Sequence, residues 1–213
     1  MIKAIVFDLG KVLLDFDYST AAKKLAARSS LTSEALGRLM LQSPLLLRYE
    51  SGLLTSSDFY QEICTATGFC GTFEEFGSFF GDIFSPIRPM IDLQAALRGR
   101  GYMTYIFSNT NELAVRYIRN TYSFFSNFDG YILSFEHQVM KPDAKLYEVV
   151  EQASARKGAE ILYLDDRPEN VVTGQARGWQ AYIHETPAQT LALVSRLGLL
   201  ERDPLAAGHP SGR

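Results

Sequence analysis

At four places in this 213-residue chain, side chains able to do chemistry stand at or just beyond the end of an apolar run. Asp8 follows Ile2-Lys3-Ala4-Ile5-Val6-Phe7, and Ser108-Asn109 follow Tyr102-Met103-Thr104-Tyr105-Ile106-Phe107. Lys141 comes after Tyr131-Ile132-Leu133-Ser134, and Asp165-Asp166 follow Ile161-Leu162-Tyr163-Leu164. Three carboxylates brought together repel and raise one another's pKa. A hard divalent cation such as magnesium, which takes oxygen ligands, relieves that repulsion. Lys141 and the Ser108 hydroxyl, with nearby backbone N–H groups, are of the kind that hold phosphate oxygens. An aspartate nucleophile, a cation and phosphate donors together suit phosphoryl transfer through an aspartyl-phosphate. On its own strand, Asp8 reads equally as a turn cap.

For these groups to meet, the apolar runs must be neighbouring strands. Five of the six residues before Asp8 are apolar, as in a strand buried on both faces. From residue 88 onward short apolar runs alternate with helical periods: helices over Met90 to Arg100, Glu112 to Asn120, Asp143 to Ala155, Pro168 to Arg177 and Pro187 to Leu197, strands between them, and a last strand over Gln180 to Ile183. This alternation predicts an α/β fold, a doubly wound parallel sheet with helices on both faces. In such a sheet the carboxyl ends of the strands share one edge, where ligands bind. Residues 17–87 show only helical patterns: Thr20 to Arg28, Thr32 to Leu41, a helix started by Thr55-Ser56-Ser57-Asp58, and a Phe-rich helix from Phe73 to Phe84, with Arg48 to Gly52 read as a break. The expected organisation is an α/β core of residues 1–16 plus 88–200, an inserted all-helical cap of residues 17–87 placed as a lid, and a poorly ordered tail of residues 201–213.

The four clusters resemble the four motifs of the haloacid dehalogenase superfamily in their usual order: Phe7-Asp8-Leu9-Gly10, Phe107-Ser108-Asn109, Lys141-Pro142, and Leu164-Asp165-Asp166-Arg167-Pro168-Glu169-Asn170. The similarity spans about residues 2–185, with the helical insertion where that superfamily carries its first type of cap. The resemblance implies a Rossmann-like core, magnesium as cofactor and hydrolysis of small phosphorylated metabolites, sugar phosphates among them. It implies Asp8 as nucleophile, and Ser108 and Lys141 as the groups that bind the transferring phosphoryl, with Lys141 also neutralising Asp8. Asn109 would join them at the substrate. Asp8, the Gly10 carbonyl, Asp166 and, directly or at one remove, Asp165 would hold the metal, with Asn170 behind them.

One position departs from the pattern. Most phosphatases of the superfamily carry a second aspartate two residues after the nucleophile, and this chain has Gly10. Loss of a general acid costs about a hundred- to ten-thousand-fold where the leaving group needs a proton. Three readings stay open: a leaving group good enough alone, a substitute such as Asp15, Glu50 or a water, or lost catalysis. The same glycine variant occurs in the subgroup that resembles alpha-glucose-1-phosphate phosphatase. The alternatives to a phosphatase are a haloacid dehalogenase, for which the Asp165-Asp166 pair makes little sense, and an inactive module that binds a phosphorylated ligand.

Composition narrows the partners. A net charge of −3 argues against nucleic acid. No apolar run approaches the roughly 18 residues of a membrane span, and none at the start reads as a signal peptide. Cys64 and Cys70 match no metal or redox spacing, and His137, His184 and His209 lie far from them, so free thiols in a reducing cytoplasm are expected. A monomer or homodimer is expected. Phe69, Phe73, Phe76, Phe79, Phe80 and Phe84 read as cap core, and Trp179 and Tyr182 as packing. His137 reads as surface. Lys11, Arg48 and Glu50 divide between substrate contact and solvent, and Asp15 and Asp17 fit a hinge as well as catalysis.

Overall fold

Every residue of β1, Ala4–Phe7, is buried, because the strand lies at the centre of a sheet covered on both faces. The computed structural model describes residues 1–40 and 43–200; the tail expected over residues 201–213 lies outside them. β1 is flanked by β4, Met103–Ser108, and β6, Ile161–Asp165; β5, Gly130–Leu133, and β7, Gln180–Ile183, form the edges, and all four pairings are parallel. The doubly wound parallel sheet is therefore as expected.

Side chains alternate along each strand. Ile5, Phe7, Ile106, Leu162 and Leu164 pack on one face, against α6 (Arg88–Gly99), α7 (Glu112–Thr121) and α11 (Pro187–Arg196). Ala4, Val6, Tyr105, Phe107, Ile161 and Tyr163 pack on the other, against α9 (Ala144–Ser154) and α10 (Pro168–Ala176). In α10, Pro168 takes the first turn, where its missing N–H costs nothing. A short helix, α8 (Ser134–His137), follows β5 directly.

Between β1 and α6 the described residues form five helices: α1 (Tyr18–Ala26), α2 (Ser33–Met40), α3 (Pro44–Glu50), α4 (Ser56–Thr67) and α5 (Phe73–Gly81). Capping boxes at Thr55/Asp58 and Thr72/Glu75 start α4 and α5. Phe69, Phe76 and Phe80 are buried in the core of this block, and Phe73, Phe79 and Phe84 pack against it, together with Leu113 from α7. Two expectations are corrected. Arg48 to Glu50 is not a break but the last turn of α3, which Ser43 caps through Leu46 N at 3.1 Å and Pro44 opens. The Phe-rich helix stops at Gly81, and residues 84–86 form a strand, β3, antiparallel to β2, Leu14–Phe16. This ribbon joins both ends of the helical block to the sheet, so the insertion is helical except at its close. No helix among the described residues is long and apolar enough to cross a membrane.

Candidate active site

The sheet register sets the first contact. Phe7 pairs with Leu164, so the next residues, Asp8 and Asp165, stand level on adjacent strands. By alternation both point to the face that carries Val6 and Tyr163. Ser108 ends β4 on the other side of β1. Chain connections diverge to the two sides of β1, which makes the end of this strand the switch point where a crevice opens.

Lys141 fills the space between the strand ends. Its Nζ lies 3.0 Å from Asp8 Oδ1 and 2.6 Å from Asp165 Oδ2, and donates to the carbonyl of Phe107 at 2.9 Å. The side chains of Lys141 and Asp165 are 1% and 0% exposed. Asn109 locks the lysine's main chain from both sides: Lys141 N donates to its Oδ1 at 2.8 Å, and its Nδ2 donates to the Lys141 carbonyl at 3.0 Å. Asn109 lines the cavity, yet both amide atoms expected at the substrate are spent on placing Lys141.

Asp165 is the most committed carboxylate. It accepts from Lys141, the Tyr163 hydroxyl, Arg167 N at 2.8 Å, and Asn170 Nδ2 at 2.9 and 3.1 Å. Asp166 is half-buried and lines the cavity beside Asp8 and Gly10. Oxygens of Asp8, Asp165 and Asp166 lie within 4.8 Å of one another.

Electrostatics follow from burial. Desolvation pushes the Asp8 carboxyl up to about 8; the Lys141 charge opposes this, and the charges of Asp165 and Asp166 add to it. Asp166 is raised by burial and by Asp165. Burial also raises Asp165, but the charge and hydrogen bond of Lys141 outweigh it and hold the carboxyl below its ordinary range. Desolvation pulls Lys141 down, and the charges of Asp165 and Asp8 more than offset that, so its ammonium is held above the usual lysine value. With all three carboxyls ionised, the one ammonium leaves two negative charges, the deficit a divalent cation matches. The donor set, all carboxylate, with Gly10 lining the same cavity, fits magnesium.

These groups open on a cavity of about 620 Å³ whose far wall is the helical block. Phe16 and Tyr18 from the ribbon and α1, and Leu46, Leu47 and Glu50 from α3, supply that wall. Sequence reading missed Phe16, Tyr18, Leu46 and Leu47 because nothing in their spacing points to a site. Tyr163 and Ser134 were also missed as site supports. Ser134 Oγ donates to the Glu50 carbonyl at 2.6 Å and accepts from Thr110 N at 2.9 Å, tying α3 to the end of β5. Of the undecided residues, Glu50 and Lys11 line the cavity, and Arg48 turns away to pair with Glu62 at 3.0 and 3.1 Å. Asp15 is exposed and ion-paired to Lys11, and Asp17 caps α1. His137 is exposed, and Trp179 is buried.

A model of the haloacid dehalogenase-like hydrolases matches residues 2–178. The chain is 27% identical over 179 residues to a sesquiterpene phosphatase of Aspergillus oryzae, covering 83% of this chain and 86% of the relative. It is 24% identical over 196 residues to a D-ribitol-5-phosphate phosphatase of Bacteroides thetaiotaomicron, covering 88% and 94%. Among solved structures it resembles a HAD family enzyme from Bacteroides thetaiotaomicron in complex with magnesium and inorganic phosphate (TM-score 0.77, 21% identity, 87% of this chain and 95% of that one). It also resembles a HAD-like hydrolase from Porphyromonas gingivalis (TM-score 0.79, 24% identity, 95% and 100%). With the family model running from the first strand through motif four, and two phosphatases among its relatives, the chain belongs to the haloacid dehalogenase-like hydrolase family.

Proposed function

We propose that this enzyme is a magnesium-dependent phosphatase of small organic phosphate monoesters, working through an aspartyl-phosphate on Asp8. The observation that carries the reading is the pairing of buried Asp8 with Lys141 Nζ at 3.0 Å, beside two further carboxylates within 4.8 Å. A nucleophilic carboxylate needs its charge kept and its position fixed. Lys141 favours the first against the effect of burial, a bound cation would complete it, and Leu9 N, which donates to Asp8 Oδ1 at 2.7 Å, helps with the second.

Magnesium would be held by Asp8, Asp166 and the Gly10 carbonyl, and it would supply charge to offset the phosphate and the clustered carboxylates. Asp165, with every hydrogen-bonding direction engaged, serves to place Lys141 and Arg167 N and stands at one remove from the ion. Asp8 attacks phosphorus, Ser108 binds the phosphoryl oxygens, and Lys141, whose three N–H groups point at Asp8, Asp165 and the Phe107 carbonyl, turns toward them the one it directs at Asp8. Water then attacks the aspartyl-phosphate and releases phosphate and the Asp8 carboxylate. Residues 17–87 act as a cap: their helices close the cavity, exclude bulk water and choose the alcohol part of the substrate. A cavity of about 620 Å³ suits a metabolite of sugar-phosphate size. The free thiols of Cys64 and Cys70 support a reducing, cytoplasmic setting.

Phosphate release from p-nitrophenyl phosphate, with magnesium and with EDTA, tests the reading. Turnover that needs magnesium and vanishes in Asp8→Asn is expected. Absence of turnover on this ester and on a panel of sugar phosphates, with magnesium bound, would overturn it in favour of a binding module.

A further inference from the structure

Hydrolysis of an unactivated phosphate ester needs a proton for the leaving oxygen, and the position two residues past Asp8 has no side chain to give one. Phe16 crowds the place that a side chain there would take. A Cβ built on Gly10 would lie 2.9 Å from Phe16 Cε1, so the ring of Phe16 occupies that space.

The other groups lining the cavity narrow the choice. Asp8 and Lys141 are committed to the nucleophile and the phosphoryl group, and Asp166 to the cation. Lys11 pairs with Asp15 and sits 4.5 Å above the Phe16 ring. Arg167 pairs with Glu169 at 2.6 Å, and a guanidinium does not give up its proton. The Tyr18 phenol is pushed above its ordinary range by burial and by the charge of Glu50, which makes it a poorer acid. Glu50 remains. Its carboxyl has no hydrogen-bond or ion-pair partner among the described residues. Its main chain is fixed: the carbonyl accepts from Ser134 Oγ at 2.6 Å, and Gly52, at φ +66°, lets the chain press against the Phe135 carbonyl. The site therefore holds an uncommitted carboxyl on a wall anchored to the end of β5.

We propose that Glu50 is the proton donor and acceptor of the reaction, in place of a residue at position 10. The proposal rests on the phosphatase reading. In the first step the bond from Asp8 to phosphorus forms and the ester P–O bond breaks. The leaving oxygen keeps the electron pair and takes the proton of Glu50, so an alcohol departs and Glu50 becomes a carboxylate. In the second step water attacks phosphorus, its proton passes to Glu50, and the bond from Asp8 to phosphorus breaks to free phosphate. Glu50 ends protonated, as it began. Burial pushes its carboxyl up to about 7, against the pull of Arg167, so both forms are accessible near neutral pH.

The test compares p-nitrophenyl phosphate, whose leaving group departs without a proton, with phenyl phosphate, similar in shape but a poorer leaving group. The measure is kcat/KM, set by the alcohol-releasing step. Glu50→Gln is expected to raise the ratio of the two values, in favour of the nitrophenyl ester, by on the order of a hundredfold. Glu50→Asp, which keeps an acid, is expected to recover part of it. If Glu50→Gln lowers both values alike, or lowers neither, Glu50 is not the acid while the phosphatase reading stands. If the unaltered enzyme turns over neither ester nor any of the sugar phosphates with magnesium bound, the phosphatase reading itself fails.

Discussion

Phe16 stands where a side chain at position 10 would stand, with its Cε1 2.9 Å from the place of a Cβ on Gly10. The ring is held in turn by Tyr18 and Phe84, at centroid distances of 5.6 and 6.3 Å, and by the ribbon that joins the helical block to the sheet. Gly10 and Phe16 are thus a matched pair. Gly10→Asp alone is expected to lose about 1–3 kcal/mol of stability through overpacking. Combined with Phe16→Ala it is expected to cost less than the sum of the two changes, with a coupling of about 0.5–3 kcal/mol. Urea denaturation of the four proteins of the cycle measures this, and additive effects would show that the two positions are independent.

Lys141 pairs with two carboxylates at once, so its loss strands Asp8 and the fully buried Asp165. Lys141→Met is expected to cost about 3–5 kcal/mol of stability, as when one partner of a buried ion pair is removed. It is also expected to abolish turnover. Denaturation midpoint and phosphate release read the two effects separately.

Metal binding and pH are linked through Asp8. Between the ordinary carboxyl range and about 8, metal-free folded Asp8 holds a proton that the unfolded chain has released. Its contribution to metal-free stability is therefore full at low pH and falls as pH rises through that window. Magnesium bound at Asp8 would displace the proton, so its affinity is expected to rise with pH up to about 8. Calorimetry in buffers of different ionisation heat should show proton release on binding. At a concentration of magnesium a hundred times its Kd, the gain in stability is expected to be about 2.7 kcal/mol, and Asp166→Asn is expected to remove most of it.

The dock between α3 and the core depends on Gly52. A Cβ there would lie 2.1 Å from the Phe135 carbonyl oxygen, and the backbone at φ +66° is left-handed. Gly52→Ala is expected to push α3 off the end of β5, raise KM and open the helical block to limited proteolysis. Ser134→Ala removes the hydrogen bond to the Glu50 carbonyl without adding bulk, and is expected to produce a milder form of the same change, about 1–2 kcal/mol in stability.

Much of this protein is legible in its sequence. The runs before Asp8, Ser108 and Asp165 are short and apolar save for Lys3 and Thr104, because their strands are buried on both faces. The strand–helix alternation then dictates parallel pairing, and the polar residues at the strand ends must share one edge. Helix starts at Thr55 and Pro168 are equally local, since caps and first-turn prolines act over three or four residues. Tertiary structure decided what depends on neighbours distant in the chain. The register of β1 against β6 set Asp8 level with Asp165, and Lys141 arrived between them only because Asn109 grips its main chain. The strand at residues 84–86 exists because β2 offers it hydrogen bonds, and its own sequence carries no such signal. Arg48 and Glu50 lie two residues apart on one helix, yet Glu62 draws the first outward while Ser134 fixes the main chain of the second at the cavity. A glycine at position 10 announces a missing side chain; only the packing of Phe16 shows that its place is already filled.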